Sequence, residues 1–190
     1  VLAEWDLHLT PEDFVPFLGF SDLPYWNALR EKFQLPADAA YLMGRRTEEY
    51  VRILQATSIE PLPGVLDLLQ HVRDLNIPVA VASASPRGQI AAGLESAGLA
   101  EALPIRRSGE EDVPYDRGKP HPDVYQAAAE ALGVNPQQCI AVEDSANGMR
   151  SAKAAGCFTI CVPCPSHPTT ETNLADAVVS RIDQVRRFLN

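Results

Sequence analysis

From Pro63 onward the chain alternates between helical stretches and short runs of consecutive apolar residues. Val65, Leu68, Leu69, Val72 and Leu75 fall at helical spacing, and 79–82 is a wholly apolar strand. A helix follows over 87–97, a strand near 103–105 and a helix over 122–132. A strand at 140–142, a helix at 146–155 and strands at 158–162 and 177–179 complete the series. Strands buried on both faces read as unbroken apolar runs, and helix-strand alternation places them in one parallel sheet covered by helices on both faces. The expected fold class is therefore α/β.

Residues 1–60 read as helices only. Thr10-Pro11-Glu12-Asp13 is a helix start with its cap at Thr10. Ser21 and Asp22 open a second helix carrying Trp26, Leu29 and Phe33, and Pro36 opens a third carrying Leu42, Tyr50, Ile53 and Leu54. The punctuation "EPLPG" at 60–64 ends this region, so the expected units are 1–60 and 61–190. A net charge of −9 argues against nucleic acid and anionic membranes as partners. No apolar run approaches a membrane span. Cys157, Cys161, Cys164 and His167 have a spacing open to a zinc reading, but 158–162 reads as a buried strand, so Cys157 and Cys161 are expected as small core residues. Four cysteines without a secreted framework favour a reduced, cytoplasmic protein.

Ligands of parallel sheets collect beyond the carboxyl ends of the strands, and three such ends carry chemistry. The 79–82 strand runs into Ser83-Ala84-Ser85, where a hydroxyl and turn amides can cradle anionic oxygens; the alternative is that Ser83 or Ser85 caps the next helix. Lys119 stands in "GKPHPD", before a helix opened by Pro122. The 140–142 strand delivers two adjacent acids, Glu143 and Asp144, before Ser145 caps the next helix and Gly156 ends it. Two like charges at the end of a buried strand repel each other, which a bound cation relieves. Hydroxyl, fixed cation and acid pair together match what a phosphate dianion and its metal need.

The motifs "PLPGV", "VASAS", "GKPHPDVY", "VEDSANG" and "AKAAG" resemble the haloacid dehalogenase superfamily, in its beta-phosphoglucomutase and phosphoglycolate-phosphatase-like branch. The resemblance implies a Rossmann-like parallel sheet core at 61–190 and a small helical cap at 1–60. It implies that Ser83 and the Ala84 amide bind a phosphoryl group, that Lys119 neutralises it, that Asp144 holds Mg2+ and that Glu143, at the same metal site, orients Asp144 or a metal-bound water. Ser21, Arg46, Ser85 and Arg87 are implied as substrate contacts, and the partner as a small phosphorylated metabolite. The implied activity is phosphate-ester hydrolysis through an aspartyl phosphate; a sugar-phosphate mutase and a non-catalytic phosphate-binding protein are the alternatives.

One family element is absent from this sequence. The nucleophile motif Asp-x-Asp-Gly occurs nowhere in the 190 residues. In "EWDLHLT" His8 and Leu9 stand where the second aspartate and the glycine belong, which leaves Asp6 a poor nucleophile candidate. The resemblance thus implies that the first, central strand of the sheet is missing, about 20 residues by ordinary element lengths. The strands at 79–82 and 140–142 are expected to flank its place without pairing with each other, and the chain alone is expected to be inactive.

Overall fold

The computed structural model describes residues 2–5, 7–10, 13, 22–166 and 169–189. Helix α1 (Asp22–Phe33) and helix α2 (Ala39–Gln55) make up most of the N-terminal part, preceded by a 3-10 turn at Leu2–Trp5. Tyr25, Trp26, Leu29, Leu35, Ala39 and Leu42 form its buried core, with Leu2, Trp5, Leu7 and Leu9 packed against them. Pro36 does not open α2. Asp38 caps it instead, its carboxylate accepting from the Tyr41 amide at 2.7 Å, which satisfies one of the helix's otherwise orphaned donors. Leu42 and Leu54 are buried as the stripe requires, whereas Tyr50 and Ile53 face solvent. The Thr10 amide and hydroxyl both donate to Asp13, at 2.9 and 2.8 Å, while the rest of the helix expected after Thr10 lies outside the described residues.

The remainder alternates as the pattern predicts: α3 (Val65–Asp74), β1 (Ala80–Ser83), α4 (Arg87–Ser96), β2 (Ile105–Ser108), α5 (Asp123–Leu132), β3 (Ile140–Glu143), α6 (Ala146–Ala155), β4 (Phe158–Cys161) and β5 (Ala177–Val178). All pairings are parallel. β1 pairs with β2 (Ser83 beside Ser108), β3 with β4 (Glu143 beside Cys161) and β4 with β5. β1 and β3 are not paired with one another, so the strands form a two-stranded and a three-stranded sheet rather than one. β2 starts two residues later than expected and carries Arg106 and Arg107, a sequence that apolarity alone does not mark as strand.

Side chains alternate across each strand, and the two faces bury different helices. On one face Ala141 and Cys157 meet Val124 and Tyr125 of α5 and Ala152 and Ala155 of α6, with Ala82 of β1 packed against the same cluster. That cluster ties β1 to β3 through α5, although no ladder joins them. On the other face Ile140, Ile160 and Val179 pack on Leu68 of α3 and Val185 of the C-terminal 3-10 segment at Ile182–Phe188. Cys157 and Cys161 are buried at the two ends of β4, as small core residues. α2 lies on α4, where Gln89 donates to the Thr47 hydroxyl at 3.1 Å and so fixes the N-terminal part over the start of α4. No described helix is long and apolar enough to cross a membrane.

Candidate active site

The carboxyl ends of β1, β2 and β3 carry the residues singled out above. Ser83 ends β1, and its hydroxyl oxygen accepts from the Ser85 amide at 3.1 Å. Neither Ser83 nor Ser85 caps α4. The N-cap is Pro86, which has no capping side chain, so these serines are free of the routine duty that the sequence left open. The turn is braced from β2: the Gly109 amide donates to the Ser83 carbonyl at 2.7 Å, and the Ser108 hydroxyl donates to the Ser85 carbonyl at 2.9 Å. A Cβ at Gly109 would lie 3.2 Å from the Ser83 carbonyl oxygen, 3.4 Å from the Cα of Ala84 and 3.9 Å from that of Gly118. Gly109 is therefore where the Ser83–Ala84 turn and the loop carrying Lys119 come together.

Lys119 is buried (7% exposed), and its ammonium pairs with Glu143 Oε1 (8% exposed). The Tyr125 hydroxyl donates to the same oxygen at 2.5 Å, and the Lys119 ammonium lies over the Tyr125 ring, 5.0 Å from its centroid. Glu143 Oε2 accepts from the Ser145 hydroxyl at 3.1 Å and lies 3.2 and 3.4 Å from the amides of Asp144 and Ser145. Burial alone would raise the Glu143 pKa, but the Lys119 charge and the bonds from Lys119, Tyr125 and Ser145 outweigh it and hold the carboxyl below its usual range. Burial, then the Glu143 charge, pushes the Tyr125 phenol well above its ordinary range, so it stays a donor.

Both oxygens of Glu143 thus accept from protein donors, and its charge partner is Lys119. Asp144 follows it, half-buried, at the entrance to α6. Among the described residues no group of three metal-ligating side chains gathers. Asp144, a hard oxygen donor just past a strand end, could hold Mg2+, which is commonly bound by one or two carboxylates with phosphate oxygens and water completing its shell.

The expected substrate contacts have different partners. Arg87, at the start of α4, is tied to Asp112 and to Glu111, whose carboxylate also accepts from the Arg87 amide at 2.6 Å. That pairing anchors the loop after β2 and takes the Arg87 charge out of play. Arg46 is half-buried and lines a cavity of about 350 Å³ together with His8, Tyr25 and Trp26. The Trp26 indole N–H is buried there without a hydrogen-bond partner. Ser85 stands in the braced turn. Asp6, Ser21 and His167 lie outside the described residues.

Two further residues, Tyr125 and Gly148, border the Glu143 carboxylate. Tyr125 reads in sequence as one more member of the α5 apolar stripe, and only its hydroxyl beside "GKP" hinted at more. Gly148 reads as an incidental glycine inside α6. A Cβ there would fall 2.0 Å from the Glu143 carboxyl carbon, so it is the wall against which that carboxylate rests.

Comparison with known proteins matches these features to one family. The model of the haloacid dehalogenase-like hydrolases matches residues 3–156. The chain is 30% identical to hexitol phosphatase A of Escherichia coli over 93% of its own length and 79% of that protein's. Several other curated relatives are longer, and the chain spans less than half of them. CbbY from Rhodobacter sphaeroides, solved with phosphate, superimposes with a TM-score of 0.85 at 25% identity, over 97% of this chain and 84% of that one. Beta-phosphoglucomutase from Clostridium difficile shares the fold, with a TM-score of 0.78 at 23% identity over 96% of this chain and 81% of that one. The chain belongs to the haloacid dehalogenase-like hydrolases.

Proposed function

We propose that the protein is a magnesium-dependent phosphatase of a small phosphorylated metabolite. The observation that carries this reading is the meeting of the Ser83–Ala84 turn and the Lys119 loop at Gly109, with Asp144 at the end of β3. The Ser83 hydroxyl and the Ala84 amide would donate to the phosphoryl oxygens, and Lys119 would place a cation on them in a site shielded from water. Such charge stabilisation is the main task in phosphoryl transfer. Asp144 would hold Mg2+, which when bound neutralises further charge on the phosphoryl group.

The chemistry also needs a nucleophile, which we assign to an aspartate on a strand between β1 and β3, outside the 190 residues. Its carboxylate oxygen would attack phosphorus as the substrate's ester oxygen departs with a proton from an acid. Water would then hydrolyse the aspartyl phosphate to inorganic phosphate, regenerating the carboxylate. Among the described residues each of β1 and β3 has one edge unpaired, the arrangement that accepts a strand. Cap residues around Arg46 would meet the rest of the substrate. Phosphatase is preferred to mutase because Arg87, a cation that could take a substrate's second phosphate, is already paired with Asp112.

The test compares the 190-residue chain with a version extended by an Asp-x-Asp-Gly strand. p-Nitrophenyl phosphate and beta-glucose 1-phosphate serve as substrates. The extended protein is expected to hydrolyse phosphate esters and the 190 residues alone to show no turnover above background. Isomerisation of beta-glucose 1-phosphate outrunning its hydrolysis would make the protein a mutase. Turnover by the 190 residues that Asp6→Asn abolishes would restore Asp6 as nucleophile.

A further inference from the structure

At the end of the sheet away from the strand tips that carry Ser83 and Asp144, two cysteines stand side by side. β3 and β4 run parallel with Ile140 beside Phe158, and the register continues one step before the ladder. There the Phe158 amide donates to the Cys139 carbonyl at 3.0 Å, which sets Cys139 next to Cys157. One step further back, a Cβ on Gly156 would lie 2.9 Å from the Gln137 side-chain nitrogen, so the two segments stay in contact beyond the strands. Cys139 precedes Ala141 by two residues and so faces the same side, where Cys157 and Ala141 pack in one cluster with Val124, Ala152 and Ala155. Neighbouring strands lie about 4.8 Å apart, within the Cα separation of about 4.4–6.8 Å that a disulfide spans. Both thiols are free.

The two thiols differ in access: Cys139 is half-buried, whereas Cys157 is 5% exposed. We propose that Cys139 and Cys157 are a redox-active pair that hydrogen peroxide converts to a disulfide. The Cys139 thiolate attacks one peroxide oxygen, the O–O bond breaks, and hydroxide leaves a sulfenic acid on Cys139. Cys157 then attacks that sulfur; the S–O bond breaks and the departing hydroxide takes the Cys157 proton as water. In sum, two thiols and one hydrogen peroxide give one disulfide and two waters, the sulfurs losing two electrons and the peroxide gaining them. Cys139 gives up only a weak bond to do this, its thiol donating to the Asn135 carbonyl at 3.5 Å. Burial pushes both thiols above their ordinary 9.0, which keeps thiolate scarce and the pair slow to oxidise at neutral pH. The bridge would close a covalent loop around β3 and α6, the unit that carries Glu143 and Asp144, and a thiol reductant would reopen it.

The experiment treats the 190-residue chain with hydrogen peroxide, blocks the remaining thiols under denaturing conditions and reads the products by intact mass and peptide mapping. The expected product is a monomer lighter by two hydrogens, with Cys139 joined to Cys157 and only Cys161 and Cys164 open to blocking. Dithiothreitol should restore all four thiols. The bridge should raise the urea midpoint of unfolding by about 1 M, because it restricts the unfolded chain. Oxidation in concentrated urea, where the register is gone, should instead favour Cys161 with Cys164, the pair closest in sequence. A chain carrying Cys161→Ala and Cys164→Ala should oxidise as the wild type does; should it fail to fold, the wild-type map still decides. Four thiols that all remain open to blocking would overturn the proposal, as would a bridge to Cys161 or Cys164 in the folded chain. Cys139 ending as a sulfinic acid beside a free Cys157 would overturn it too, and so would the same 139–157 product prevailing in urea.

Discussion

Gly148→Ala pits two effects of known size against each other. Gly148 is the third residue of α6, where alanine is better than glycine by at most about 1 kcal/mol. Helix propensity alone therefore forecasts a more stable protein. The new Cβ, however, would stand 2.0 Å from the Glu143 carboxyl carbon and 2.1–2.2 Å from its oxygens. A flexible side chain could step aside, but this one is held by Lys119, Tyr125, Ser145 and the neighbouring amides. Displacing it strands Lys119, and breaking a buried ion pair costs about 3–5 kcal/mol. Subtracting the propensity gain leaves a net loss of about 2–4 kcal/mol, a large share of the ~5–15 kcal/mol that holds a typical domain together. Urea unfolding at neutral pH, wild type against Gly148→Ala, measures the difference. A variant as stable as the wild type, or more so, would show that Glu143 is not locked against α6.

Three further outcomes follow from the same contacts. Ser145→Ala removes both the α6 cap to the Gly148 amide and a donor to Glu143, so urea unfolding should register more than the ~1 kcal/mol of an ordinary cap. Arg87→Ala, whose partner is Asp112, should change phosphatase turnover of the extended enzyme less than twofold, while Lys119→Ala and Asp144→Ala each cost orders of magnitude. Stability should depend on pH at both ends. The Glu143 carboxyl sits below its usual 4.5 in the fold, so its contribution is complete above about pH 4.5 and lost as pH falls through the lower folded value; Glu143→Gln should flatten that acid limb. Burial, then the neighbouring Cys139, pushes the Cys157 thiol from 9.0 to about 11, so the unfolded chain loses its proton first and stability falls as pH rises between those values. That loss amounts to about 3 kcal/mol, which Cys157→Ala should remove in unfolding curves across the window.

The helix-strand alternation carried nearly the whole core into view, because strands buried on both faces leave long apolar runs. β2 escaped this reading for a physical reason. Arg106 folds its guanidinium back onto the carbonyls of Leu103 and Ala100, and Arg107 onto that of Arg106, so charged residues serve in an edge strand that periodicity cannot see. Pro36 misplaced the start of α2 because a proline suits the turn before a helix as well as its first residue; the side-chain oxygen that decides is that of Asp38. At the site, Ser83, Glu143 and Asp144 were legible as polar residues at strand ends, and Lys119 as a cation in the loop before α5. The division of labour between the two acids was not, because it depends on which carboxylate faces Lys119 across two elements distant in sequence. Tyr125 and Gly148 were hidden for the same reason: a buried tyrosine and a helical glycine look like packing until the carboxylate between them is placed.

The central claim is that a phosphoryl group sits at the carboxyl ends of β1 and β3, and its location can be read directly. Backbone amide resonances of the 190-residue chain would be followed during titration with inorganic phosphate in magnesium chloride. The account predicts that the largest shifts fall on Ser83, Ala84, Ser85, Lys119 and Asp144, and that Lys119→Ala abolishes them. Shifts centred on Trp26 and Arg46 in the cap cavity, with the strand ends unmoved, would contradict it.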